Sequence, residues 1–144
     1  MTEMKIAGNG ASICITVIGY ERAHADNSSD ANWLNCYVDI AVPPFSGGYE
    51  ASLSTKDFLA FEKDLRSLSE RLEGEAVLET DERAISIRIS MRSRGLVIIT
   101  GEATAPTRSS LTFEFDVDQT YLDGYRREVT AILKQYPVRS GDEK

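Results

Sequence analysis

One arrangement of apolar residues occurs twice in this chain of 144 residues, and a fold must accommodate both copies. Adding 64 to a residue number carries Tyr49, Ala51 and Leu53 onto Phe113, Phe115 and Val117. The same shift carries Phe58, Phe61, Leu65, Leu68 and Leu72 onto Leu122, Tyr125, Val129, Ile132 and Tyr136. Earlier in each copy the shift is 72, taking Ile13, Ile15 and Val17 onto Ile85, Ile87 and Ile89. The first copy therefore has an intervening connection eight residues longer, which places the extra length in the polar stretch Glu21 to Asp30.

Alternation with a period of two predicts strands at Met4–Ala7, Ser12–Tyr20, Trp33–Val42 and Gly48–Leu53. Spacings of three and four from Phe58 to Leu72 predict an amphipathic helix, capped by Ser54 or Thr55 and ending near Gly74. The order then repeats, with strands at Ala76–Glu79, Ala84–Met91, Leu96–Ala103 and Ser110–Val117. A helix follows from about Gln119 to Gln135, with Asp118 as its N-cap. The expected class is α+β: a duplicated ββββα unit forming a curved antiparallel sheet, or two, with both helices packed on one side. No Pro-, Gly- or Ser-rich run separates the copies, so one domain is expected over 1–144. Its pseudo-repeats are 1–74 and 75–138, and 139–144 is a frayed tail.

The residue types needed for chemistry are sparse. His24 is the one histidine, and any Ser-His-Asp or Cys-His nucleophile would depend on it. Cys14, His24 and Cys36 lack the close pairing of a zinc site, and there is no phosphate loop or dinucleotide fingerprint. Glu114 and Asp116 share a sheet face, as acid–base carboxylates can, but the solvated side of an amphipathic strand is the better explanation. The reading is a protein with no catalytic residues, no cofactor and no metal. Two free thiols are expected, with a disulfide between neighbouring strands left open.

Sixteen basic residues against 23 acidic ones leave a net charge of −7. The free sheet face would carry Asp39, Glu50, Glu114 and Asp116 against Arg88, a sign that opposes nucleic acid. No stretch is long and apolar enough to cross a membrane, and no secretory signal is visible, so a cytoplasmic protein is expected. What remains is a protein-binding surface. Trp33 and Tyr37 fall on the open face of their strand, opposite Leu34, Cys36 and Val38, and aromatic residues so placed often dominate binding. Trp33 packed beneath the loop Glu21–Asp30 is the alternative, with Asn32 and Asn35 satisfying loop backbone groups. The candidate partner-binding residues are Trp33, Tyr37, Asp39, Glu50, Glu114 and Asp116.

Several segments carry a resemblance when taken in order. They are Asp30-Ala31-Asn32-Trp33-Leu34-Asn35-Cys36, Phe45-Ser46-Gly47, the run from Ala51 to Phe58, and the run from Phe113 to Leu122. Over about residues 4 to 138 the chain resembles the WapI-type immunity proteins. The stretches Asp30–Asn35 and Asp118–Leu122 are the most specific parts. The resemblance implies a bacterial protein of the cytoplasm that protects its producer. Its partner would be the toxic C-terminal domain of a large polymorphic cell-surface toxin, in some cases a nuclease acting on RNA. An intracellular protein-binding adaptor with no toxin partner is the competing expectation.

Overall fold

The computed structural model describes residues 2–22, 29–80 and 82–139. Strands β1 (Thr2–Gly8), β2 (Ala11–Tyr20), β3 (Trp33–Val42) and β4 (Phe45–Ser54) lead into helix α1 (Thr55–Arg71). Strands β5 (Glu75–Glu79), β6 (Ile85–Met91), β7 (Leu96–Thr104) and β8 (Ser110–Asp118) lead into α2 (Leu122–Gln135). Each set forms its own antiparallel sheet in chain order. The α+β class and the duplicated ββββα unit are as expected, and the open choice between one sheet and two resolves as two.

Alternation explains which face of each sheet is buried. Ile13, Ile15 and Val17 of β2 pair with Ile40, Val38 and Cys36 of β3, and all point inward. Ile85, Ile87 and Ile89 of β6 point inward beside Val97 and Ile99 of β7. Each such aliphatic chain contributes roughly 1.5–3 kcal/mol by leaving water. The helical stripes Phe58, Phe61, Leu65, Leu68 and Leu122, Tyr125, Val129, Ile132 join them in one apolar cluster that spans both copies.

The helices cross over between the copies. α1 follows the first sheet but lies against β5, the first strand of the second; α2 lies against β1, and the two helices pack on each other. A hydrogen bond accompanies each crossing. Asp64 of α1 accepts from the Val77 backbone N–H of β5 at 3.2 Å. Glu128 of α2 accepts from the Lys5 backbone N–H of β1 at 2.6 Å. The carboxylates are related by the 64-residue shift and the amides by the 72-residue shift. The helix starts obey the same relation. Ser54 accepts from Lys56 N–H at 3.1 Å, and Asp118 accepts from Thr120 N–H at 2.8 Å.

The copies also depart from one another. Twelve residues connect β2 to β3 and four connect β6 to β7, the eight-residue difference expected. A β-bulge between Val17 and Gly19 adds one more, so β3 maps onto β7 with a shift of 63. Val38, paired with Tyr49, then corresponds to Gly101, paired with Phe113. A side chain on Gly101 would collide with the Ser86 carbonyl oxygen and meet Phe113 Cζ at 2.5 Å, so the Phe113 ring occupies that space.

Several expectations need correction at their edges. β4 begins at Phe45 rather than Gly48, after a two-residue turn at Pro43–Pro44. Ser54, not Thr55, caps α1, with Asp57 returning a bond to the Ser54 N–H. The helix ends at Arg71, because Leu72 is left-handed at φ 57° and turns out to 45% exposure instead of extending the stripe. Asp118 caps a 3-10 turn, Gln119–Tyr121, that precedes α2. Within the polar stretch Glu21–Asp30, residues 23–28 lie outside the described ones, and a 3-10 turn at Ser29–Asn32 follows.

Two stability outcomes follow. Removing either crossing carboxylate, by Asp64→Ala or Glu128→Ala, should lower the unfolding free energy by roughly 1–3 kcal/mol, the scale of a hydrogen bond to a charged group. Asp123→Ala removes exposed pairs with Arg126 and Arg127 and should cost under about 1 kcal/mol. Urea midpoints at constant slope distinguish them. Gly101→Ala should destabilise by about 1–3 kcal/mol through overpacking. Gly19→Ala, where a Cβ meets open space, should shift the midpoint little.

Candidate functional site

The outer face of the first sheet is built by the residues that alternate with its core. Two rows of neighbours cross it: Glu3, Thr16, Tyr37 and Glu50, then Lys5, Cys14, Asp39 and Gly48. Three carboxylates thus face one lysine. Tyr37 is 37% exposed. A Cβ on Gly48 would come within 2.7 Å of the Tyr37 hydroxyl oxygen and 2.9 Å of Asp39 Oδ1. The bare Gly48 backbone therefore gives the phenol and the Asp39 carboxylate room to lie together, with Glu50 directly across from Tyr37. Trp33 shares this face but is half-buried at the start of β3, paired with Ser54. It lies four positions from Tyr37, roughly 13 Å along a strand.

Glu114 and Asp116 lie on the outer face of the other sheet and do not join this group. Glu114 faces Thr100 and then Arg88 across the strands. Arg88 pairs with Glu75, so this face mixes both signs. Asp116 already has a structural partner: Asn9 Nδ2 donates to its carboxylate at 2.9 Å and to its carbonyl at 2.5 Å. The six candidate residues therefore divide into Tyr37, Asp39 and Glu50 together, Trp33 at the far end of the same face, and Glu114 and Asp116 elsewhere.

Beside Trp33 two side chains tie distant parts of the chain together. Asn32 is 1% exposed and serves more than the loop. Its side-chain oxygen accepts from the Thr55 hydroxyl at 2.9 Å and from the Arg139 backbone N–H at 2.6 Å, tying the start of α1 to the chain after α2. Arg139, placed by sequence in a frayed tail, is held in place. It donates to the Ala31 carbonyl at 2.8 Å and the Arg22 carbonyl at 2.7 Å, and its guanidinium lies 3.7 Å from the Tyr20 ring centroid. Residues 140–144 and His24 lie outside the described residues.

Sequence reasoning missed a cleft of about 670 Å³ where the β4 edge faces the end of the second sheet. Glu50, Ala51 and Ser52 form one wall, with Glu82, Ala84 and Pro106 opposite. Glu21 hydrogen-bonds to Ser52. No periodicity along one strand signals such a gap, because its walls come from different copies.

Cys14 and Cys36 are free and point to opposite faces of the sheet, Cys14 beside Asp39 outside and Cys36 beside Val17 inside. The open question of a disulfide thus resolves against one. Burial, and then a hydrogen bond to the Glu3 carboxylate at 2.9 Å, pushes the Cys14 thiol up to about 11. Burial pushes Cys36 up to about 12. Both stay protonated near neutrality, so neither is a poised nucleophile. At pH 8, iodoacetamide should alkylate Cys14 roughly a hundredfold more slowly than a thiol of the unfolded chain, and Cys36 more slowly still. Glu3→Ala should speed the Cys14 reaction alone, read by intact-mass spectrometry.

The described helices include none long and apolar enough to cross a membrane. No curated protein matches the chain. The model of the immunity protein WapI-like family matches residues 4–137, from within β1 to just past α2. That span takes in both copies of the ββββα unit, and the chain belongs to the WapI-like immunity protein family.

Proposed function

We propose that this protein binds the toxic domain of a polymorphic cell-surface toxin and blocks it by covering it, in the cytoplasm and with no chemistry of its own. Within an immunity family, the observation that carries this reading is the clustering of Tyr37, Asp39 and Glu50 on one exposed sheet face. An aromatic ring flanked by carboxylates suits a basic partner, the ring supplying contact area and the charges guiding approach. A nuclease domain is such a partner, because its substrate site must be positive to hold phosphates. Trp33 extends the contact along β3, and Glu114 is a secondary contact on the other sheet. Asp116 is the weakest candidate, since Asn9 already occupies it.

Co-expression with the toxin domain encoded beside this gene tests the proposal. Survival of the cells and a stable co-purified complex are expected. Killing despite abundant folded protein refutes it for that pair and favours an adaptor role. Asp39→Lys with Glu50→Lys should slow association by at least about tenfold at low salt, with a smaller effect at high salt. Gly48→Ala changes no charge but displaces the Tyr37 phenol, so it should weaken binding while shifting stability by no more than about 0.5 kcal/mol. Stopped-flow association and calorimetry measure both.

A further inference from the structure

We infer that the cleft along β4 is a docking groove for an extended basic segment of the partner, which adds to the first sheet as a fifth strand. The inference deepens the toxin-binding reading and rests on it. Its basis is a break in the duplication. The two copies meet along two related seams, and one is shut. There, Gly8 lies so close to Val117 that no side chain fits on it, and Asn9 in the β1–β2 turn bonds to Asp116. By the 64-residue shift, Ser52 is the counterpart of Asp116, and the β5–β6 connection is the counterpart of the Asn9–Gly10 turn. That connection is longer, five residues against two, and its Glu82 and Ala84 line a cleft together with β4. The Tyr49 hydroxyl spans the gap to the Ala84 carbonyl at 2.6 Å, and the 670 Å³ cleft opens beside it.

Three features define the occupant. β4 is the last strand of its sheet, no other strand among the described residues pairs with its outer side, and strand addition at such an edge is a common way to hold a peptide. Glu50 and Glu82 stand on opposite walls, and none of the described residues lining the cleft is Lys or Arg. Ala51, Ala84, Ala105 and Pro106 give the same cleft apolar surface. A strand with basic side chains on one face and apolar ones on the other matches these walls, because side chains alternate along a strand. The groove also meets the Tyr37–Asp39–Glu50 face at Glu50, so one partner can engage both.

The test is a titration of the isotope-labelled full chain with a blocked hexapeptide of alternating Arg and Val, followed by amide NMR. A Glu–Val peptide is the control. Shifts at Tyr49 to Ser52 and at Ala84 are expected with the Arg peptide alone. Glu50→Lys with Glu82→Lys, both exposed positions, should weaken that binding by at least about tenfold. No binding, equal binding by the double variant, or shifts centred on Glu114 would overturn the inference. The toxin co-expression assay separates it from the broader reading. If the double variant still protects cells as well as the natural chain, the groove is wrong and immunity stands. If the natural chain fails to protect, immunity falls and the peptide titration still decides the groove.

Discussion

The interlock of the two copies, each sheet covered by the other copy's helix and marked by a bond from helix carboxylate to strand amide, is what the rest of the structure depends on. An edge strand has backbone N–H groups with no strand to receive them, and a sheet with one apolar face needs a cover. Here one element meets both needs. α1 covers β5 and offers Asp64 to Val77; α2 covers β1 and offers Glu128 to Lys5. Because each helix serves the copy it does not follow, neither ββββα unit is complete alone. The shared apolar cluster is the consequence, and so is the seam between β1 and β8.

Exact duplication would close both seams alike. Two local changes accompany the open one: the longer β5–β6 connection and Ser52 in the place equivalent to Asp116. The first half carries most of the net acidity. The exposed Tyr37–Asp39–Glu50 face lies there, and β4 supplies one wall of the cleft. The second half is the more closed partner. Its outer face pairs Arg88 with Glu75, and its Asp116 serves the seam.

Much of the fold was legible because alternation and helical spacing are local. Trp33–Val42 was bounded to the residue, and the helix stripes and the eight-residue difference were read from spacing alone. Gly48 as the start of β4 was an error of the same local kind, since two glycines and two prolines hide a strand. The candidate site was half legible. Alternation placed Tyr37, Asp39 and Glu50 on one face, but which residues neighbour one another depends on register, and that brought these three together while leaving Glu114 and Asp116 on another sheet. The role of Asn32 was invisible, because its partners Thr55 and Arg139 lie 23 and 107 residues away.

By itself the sequence determined the strand faces, the helix stripes, the order of elements, the duplication and the acidic balance, and its motifs pointed to the family. These are properties of period and composition, readable within a few neighbouring residues. Tertiary structure alone decided that there are two sheets, that the helices cross between them, and that one seam shuts while the other stays open. Those outcomes depend on which distant groups satisfy one another's backbone and apolar surface, and no short window of sequence contains both partners.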